Sequence, residues 1–134
     1  MSALDIAGIS PPAGSYSHAV AVNAGQLLLF VAGQVGIASD GSLPADAPSQ
    51  TQVAFDNIGR ILAKGGMTSA DIVKLNYFVA RTEDLAGIRD VIKRNLSEPY
   101  PAASLVVVKA LGRPEWLIEI DCVAAASQKP EGVL

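Results

Sequence analysis

The sequence predicts an α+β fold: a mixed β-sheet with two helices packed on one face, in the order β-β-β-α-β-α-β-β. Three observations predict it. The 134 residues match the size of one domain, large enough to bury a core and too small for two. Two segments carry a single apolar stripe at helical spacing, while the remaining apolar runs are short and β-branched. Helices with one stripe each pack most simply together, on the same side of a sheet.

Each element has its own signal. The first ten residues are irregular or a short edge strand, and Pro11-Pro12-Ala13-Gly14 then turns the backbone away from helix. Ser17 to Asn23 alternates, and Ala24-Gly25 turns it into Gln26 to Val31, which predicts a hairpin. Strand Leu27–Val31 should end at Ala32-Gly33-Gln34, where the glycine permits a bulge or the close approach of another group. After a Gly-, Ser- and Asp-rich loop, Pro48 suits a first helical turn flanked by Asp46 or Ala47. That helix runs to about Lys64 on an apolar face of Phe55, Ile58 and Leu62, and Gly65-Gly66 stops it. Asp71 to Ala80 is apolar on both sides, as a central strand is.

Thr82 is placed to cap a second helix, with Glu83 and Asp84 at its positive end and Leu85, Ile88, Val91 and Ile92 as its buried stripe. Pro99 and Pro101 require it to stop near Ser97. Strands Ser104 to Leu111 and Trp116 to Ala126 close the chain around a Gly112-Arg113-Pro114 turn, and the tail from about residue 127 should fray. The domain is expected to span 1–134 with its core over about 15–126. No third helix exists to cover the far face of the sheet, so other subunits are the economical cover, and a symmetric oligomer is expected.

Composition narrows the chemistry. Half of the residues are hydrophobic, yet the longest apolar stretch, Leu27 to Gly33, is far too short to span a bilayer. The N-terminal MSALDIAG has no basic region followed by an apolar one, so a soluble, cytoplasmic protein is expected. Cys122 is the single cysteine and His18 the single histidine, which removes an intrachain disulfide and makes a zinc site untenable. Magnesium has no supporting motif. The net charge of −3 and the scattered Lys and Arg argue against nucleic acid as a partner.

Four pieces then fall in order: Gly14-x-Tyr16-Ser17-x-Ala19; Val31-Ala32-Gly33-Gln34; Asp71-Ile72-Val73-Lys74 with Phe78-Val79; and Pro101-Ala102-x-Ser104 leading to Ile118-Glu119-Ile120. Together they resemble the Rid family, also called the YjgF family of reactive-intermediate deaminases, over about Ser15 to Ala126. The resemblance implies a chorismate-mutase-like fold, a homotrimer with a cleft at each subunit interface, no cofactor, and hydrolysis of enamines and imines to keto acids and ammonia.

Such chemistry needs a cation for the substrate carboxylate, best an arginine fork, a polar group that places water beside the imine carbon, and donors that fix orientation. The family motif Pro-Ala-Arg-Ser supplies the arginine, and here it reads Pro101-Ala102-Ala103-Ser104. A shifted substrate range follows from that resemblance. Arg89, on the second helix where many relatives carry an asparagine, is either a replacement cation or a solvated helix residue. Glu119 matches the family's C-terminal carboxylate and is the candidate that activates water; the alternative is a strand glutamate at the surface, with Asp121 on the same face. Tyr16 matches the cleft tyrosine or packs an interface, Gly33 offers backbone groups or ends a strand, and Ser104 donates to ligand or to local backbone. His18 is a new acid–base residue or a partly exposed strand histidine. An enzyme of this type, a non-catalytic metabolite-binding or regulatory trimer, and a nuclease or translation inhibitor are the three functional readings, with the acidic balance against the last.

Overall fold

The computed structural model describes residues 2–127. Its main sheet has four strands: β3 (Leu27–Val35), β4 (Ile72–Val79), β5 (Ala102–Val107) and β6 (Ile118–Ala126), in spatial order β3-β6-β4-β5. β6 runs antiparallel to both neighbours, and β4 and β5 are parallel. A separate pair joins β1 (Ser2–Ala3) to β2 (Val20–Ala21). Helices α1 (Ala47–Lys64) and α2 (Leu85–Asn95) cover one sheet face, so the element order is the expected one.

The core forms between that face and the helices. Phe55, Ile58 and Leu62 of α1 and Ile88, Val91 and Ile92 of α2 meet Leu75, Tyr77 and Val79 of β4 and Ile118, Ile120, Cys122 and Ala124 of β6. Strand alternation sends every second residue to this side. The helices approach closely at Gly87, where a Cβ would lie 2.8 Å from Pro48 Cγ. Asp46 caps α1 by accepting the Ser49 N–H at 2.8 Å, which holds its carboxyl below the usual range.

Four local expectations are corrected. Val20–Ala21 pairs with β1 and not with β3, so there is no hairpin. Ser17 is tied to the β5 edge of the sheet and Leu27 opens the β3 edge, three strand spacings or roughly 14 Å away. β3 continues past Gly33 to Val35, with its ladder shifted between Val31 and Gln34. Thr82 does not cap α2: Thr82–Asp84 form a 3₁₀ turn in which Arg81 grips Asp84 at 2.7 and 3.1 Å. β5 ends at Val107 because β4, its ladder partner, ends at Val79, and β6 starts at Ile118 because the Leu117 N–H is used by Gln50. The expectation of a frayed tail lies outside the described residues, apart from Ser127.

The far face of the sheet is left open. Leu28, Phe30 and Val106 stand exposed on it, and Phe78 is half-buried beside Glu119.

Candidate functional site

A cleft of about 840 Å³ opens on the helix side of the sheet, beside edge strand β5. Tyr16, Tyr77 and Tyr100, which are the chain's three tyrosines, line it together with Arg89, Lys93 and Ala103. Ile92 and Leu105 supply further apolar wall, and Asp90 adds one acid.

The loop that carries Tyr16 is pinned in place. Ser17 N–H donates to the Pro101 carbonyl at 2.9 Å, its hydroxyl donates to the Tyr100 carbonyl at 2.6 Å, and Ser17 bridges Ala102 as a parallel partner. This extends the sheet beyond β5 by one residue and hangs Tyr16 over the cleft. The Tyr16 hydroxyl accepts the Ala13 N–H at 3.2 Å, which fixes the ring. The spacing Gly14-x-Tyr16-Ser17 thus has a mechanical reason.

Ala103 pairs with Leu75 in parallel register, so its side chain shares the covered face and lies in the cleft, partly exposed. Arg89 and Lys93 are four residues apart on α2 and therefore lie on one helix face. The ion pairs among the described residues are Arg81 with Glu83 and Arg81 with Asp84, so neither cleft cation is engaged in one.

Glu119, Gly33 and Ser104 are elsewhere. Glu119 pairs with Val35 and Phe78 on the open face, where Asp121 accepts a hydrogen bond from Asn76 at 2.8 Å. Gly33 lies beneath it: a Cβ on Gly33 would be 2.7 Å from Glu119 Oε2 and 2.8 Å from its Cδ. The glycine leaves the groove in which the carboxylate rests. Ser104 is on the same open face, 3.1 Å from Lys74 Nζ, from which it accepts. His18 is exposed, packs edge-on to Tyr16 with centroids 5.8 Å apart, and donates from Nε2 to the Ser10 carbonyl.

The sequence candidates thus divide into two groups, Tyr16, Arg89 and Ala103 in the cleft and Gly33, Ser104 and Glu119 behind the sheet. Tyr77, Tyr100 and Lys93 were not singled out from the sequence. Helical spacing from Arg89 reaches Lys93, and strand alternation from Leu75 reaches Tyr77, so two of the three had a signal. Tyr100 had none, because its place depends on the Ser17 contact. Among the described residues no group of three or more His, Cys, Asp and Glu is placed to hold a metal ion.

Burial pushes the Cys122 thiol up to about 12, helped by the charge of Asp121, and it drives the Tyr77 phenol upward too. Both groups remain protonated near neutrality, so neither is a nucleophile. The Tyr77 hydroxyl is buried without a hydrogen-bond partner among the described residues.

The family model described as Endoribonuclease L-PSP matches residues 8–126. The chain belongs to that family, the YjgF/Rid family. A 2-iminobutanoate/2-iminopropanoate deaminase of Dermatophagoides farinae is 31% identical over 114 residues, covering 84% of this chain and 86% of the relative. The structure of YyfB from Yersinia pestis, described as a Rid-family protein of unknown function, matches with a TM-score of 0.82 at 30% identity, covering 93% of this chain and 98% of that one. E. coli TdcF with bound serine matches with a TM-score of 0.71 at 27% identity, over 95% and 100% of the two chains. The two helices on a mixed sheet are thus the fold of this Rid-family member. No helix among the described residues is long and apolar enough to cross a membrane.

Proposed function

We propose that the protein is a hydrolytic deaminase of small enamines and imines, working as a homotrimer in which one subunit supplies the cleft and its neighbour supplies Glu119. The observation that carries this reading is the division of the site. Tyr16, Arg89 and Ala103 line a cleft on one side of the sheet, and Glu119 rests on Gly33 on the other. A carboxylate behind the sheet cannot serve the cleft of its own protomer. Covering the exposed Phe30 and Leu28 with a second copy would carry Glu119 to that copy's edge.

In the reaction, an enamine first takes a proton at carbon and loses one from nitrogen, which makes it the imine. Glu119 then accepts a proton from water as its oxygen bonds to the imine carbon, and the C=N electron pair moves to nitrogen. Glu119 returns that proton to the nitrogen, giving a carbinolamine, and the hydroxyl proton then passes through Glu119 to the amine as the C–N bond breaks, so that the carbonyl forms and ammonia leaves. Arg89 holds the substrate carboxylate from the helix side, which takes over the role of the arginine missing at Ala103. Names borne by relatives support the reaction class.

The decisive experiment is turnover of a 2-imino acid, generated in place by an amino-acid oxidase, by wild type, Glu119→Gln and Ala103→Arg. Wild-type turnover abolished by Glu119→Gln is expected, and restoring the β5 arginine should raise the rate on 2-iminopropanoate. No turnover by wild type or by Ala103→Arg would leave the second reading, a non-catalytic metabolite-binding trimer. That reading is favoured by serine, an amino acid and not an imine, in TdcF. Nuclease activity has less support, since a net charge of −3 offers no surplus to neutralise phosphates.

A further inference from the structure

We infer that the cleft selects a carboxylate bearing an aromatic ring, with the anion on Arg89 and Lys93 of α2 and the ring between the tyrosines over Ala103. The inference rests on the cleft being a small-molecule site and names the class of molecule it takes. Aromatic residues make up only 5% of the chain, yet all three tyrosines converge on this one cavity. Tyr16 and Tyr100 are partly exposed there, and their faces are the natural partners of a planar ring, which binds edge-to-face or offset against them, while Tyr77, buried in the core, closes the wall behind. The volume of about 840 Å³ lies in the upper part of the range for small-molecule sites.

Ala103 makes the floor. Its side chain is on the covered face of the edge strand, partly exposed and packed beside Leu105 against the core, where anything longer would project into the space between β5 and α2. A methyl there removes the charge from the floor and leaves an apolar surface at the depth where a ring would sit. Charge is displaced instead to the helix wall. Arg89 and Lys93 are like charges at i and i+4, an arrangement that destabilises an isolated helix, and Asp90 forms an ion pair with neither. Lys93 gains from the C-terminal end of the α2 dipole, whereas Arg89 sits mid-helix and does not. A bound carboxylate would satisfy both cations. In a chain of net charge −3 the cleft wall is locally positive. Anion at the helix and ring at the sheet gives the ligand one orientation.

The test compares 3-phenylpropanoate with propanoate by calorimetric titration of the full-length protein, so that the carboxylate is constant and only the ring differs. The phenyl acid should bind roughly tenfold to a hundredfold more tightly, as expected for burying a ring of this size. Arg89→Ala, an exposed position that leaves the core intact, should weaken the phenyl acid about tenfold or more. Ala103→Leu, which fills the floor, should remove the advantage of the ring, so that the two acids bind alike. Equal affinity of the two acids in wild type, or an Arg89→Ala variant that binds the phenyl acid as wild type does, would overturn the inference without use of the floor variant. Deaminase turnover is measured separately. Ring-selective binding without turnover would sink the hydrolase reading and keep the ligand class, and turnover confined to short imines would do the reverse.

Discussion

Tyr77 holds a hydroxyl in the core that has no partner among the described residues, so its desolvation is uncompensated. Tyr77→Phe is expected to raise unfolding free energy by about 1 kcal/mol. The same burial gives a pH dependence. The folded protein keeps the Tyr77 proton above the ordinary value of 10.0, and the Cys122 proton above its ordinary 9.0. The unfolded chain releases both first, so the stability they confer is complete below those values and is lost as pH rises through them. Urea melts at about pH 8 and pH 10.5 should show the alkaline loss in wild type and less of it in Tyr77→Phe. A variant no more stable than wild type at the lower pH would contradict the assignment of an orphaned hydroxyl. Gly33 acts through its neighbour. Because the atoms a new Cβ would meet belong to the free end of Glu119, Gly33→Ala should move that carboxylate and spare the fold, with stability changed by less than about 0.5 kcal/mol. Imine turnover should then drop on the order of a hundredfold, the scale of a catalytic group displaced by an ångström. Unchanged turnover with a well-folded variant would take Glu119 out of the chemistry.

At the level of elements, the join between α1 and β6 depends on one buried amide. Gln50 donates to the Pro44 carbonyl at 2.9 Å and the Glu115 carbonyl at 3.0 Å, and its oxygen accepts the Leu117 N–H at 2.9 Å. Gln50→Leu keeps the volume and orphans three backbone groups, so a loss of roughly 2–3 kcal/mol is expected in urea unfolding. A loss below about 0.5 kcal/mol would mean that water replaces the amide. Gln50 also shows where sequence patterning stops. Both helices, the core strands and a cap at Asp46 or Ala47 could be read from local spacing, since each is decided within a few residues by an apolar stripe or a side-chain acceptor. What could not be read depends on distant pairs: Gln50 with Leu117, Ser17 with Tyr100, and the failure of Val20–Ala21 to join β3. The candidate site divides in the same way. Tyr16, Arg89 and Ala103 were identifiable as candidates, but that they share a cleft while Glu119 lies behind the sheet follows only from strand register.

The whole molecule presents a problem that one chain does not solve. Phe30 is 73% exposed in the middle of a strand, with Leu28 and Val106 open at 46% and 48% on the same sheet face. Apolar surface of this kind, interleaved with Asn76, Asp121 and the Lys74–Ser104 pair, has the mixed character of a subunit interface, with apolar anchors and polar groups that fix register. Phe30 is the expected anchor, because a large aromatic gains most from burial between subunits. Phe30→Asp would put a charge in that contact while leaving the helix-side core untouched, so the variant should fold and fail to assemble. Light scattering coupled to size exclusion should report a trimer for wild type and a monomer for the variant. If Glu119 serves the neighbour's cleft, imine turnover should disappear together with the trimer, even though every residue of the site is still present. A monomeric wild type, or a monomeric variant that retains full turnover, would refute the shared site and return Glu119 to the role of a surface glutamate.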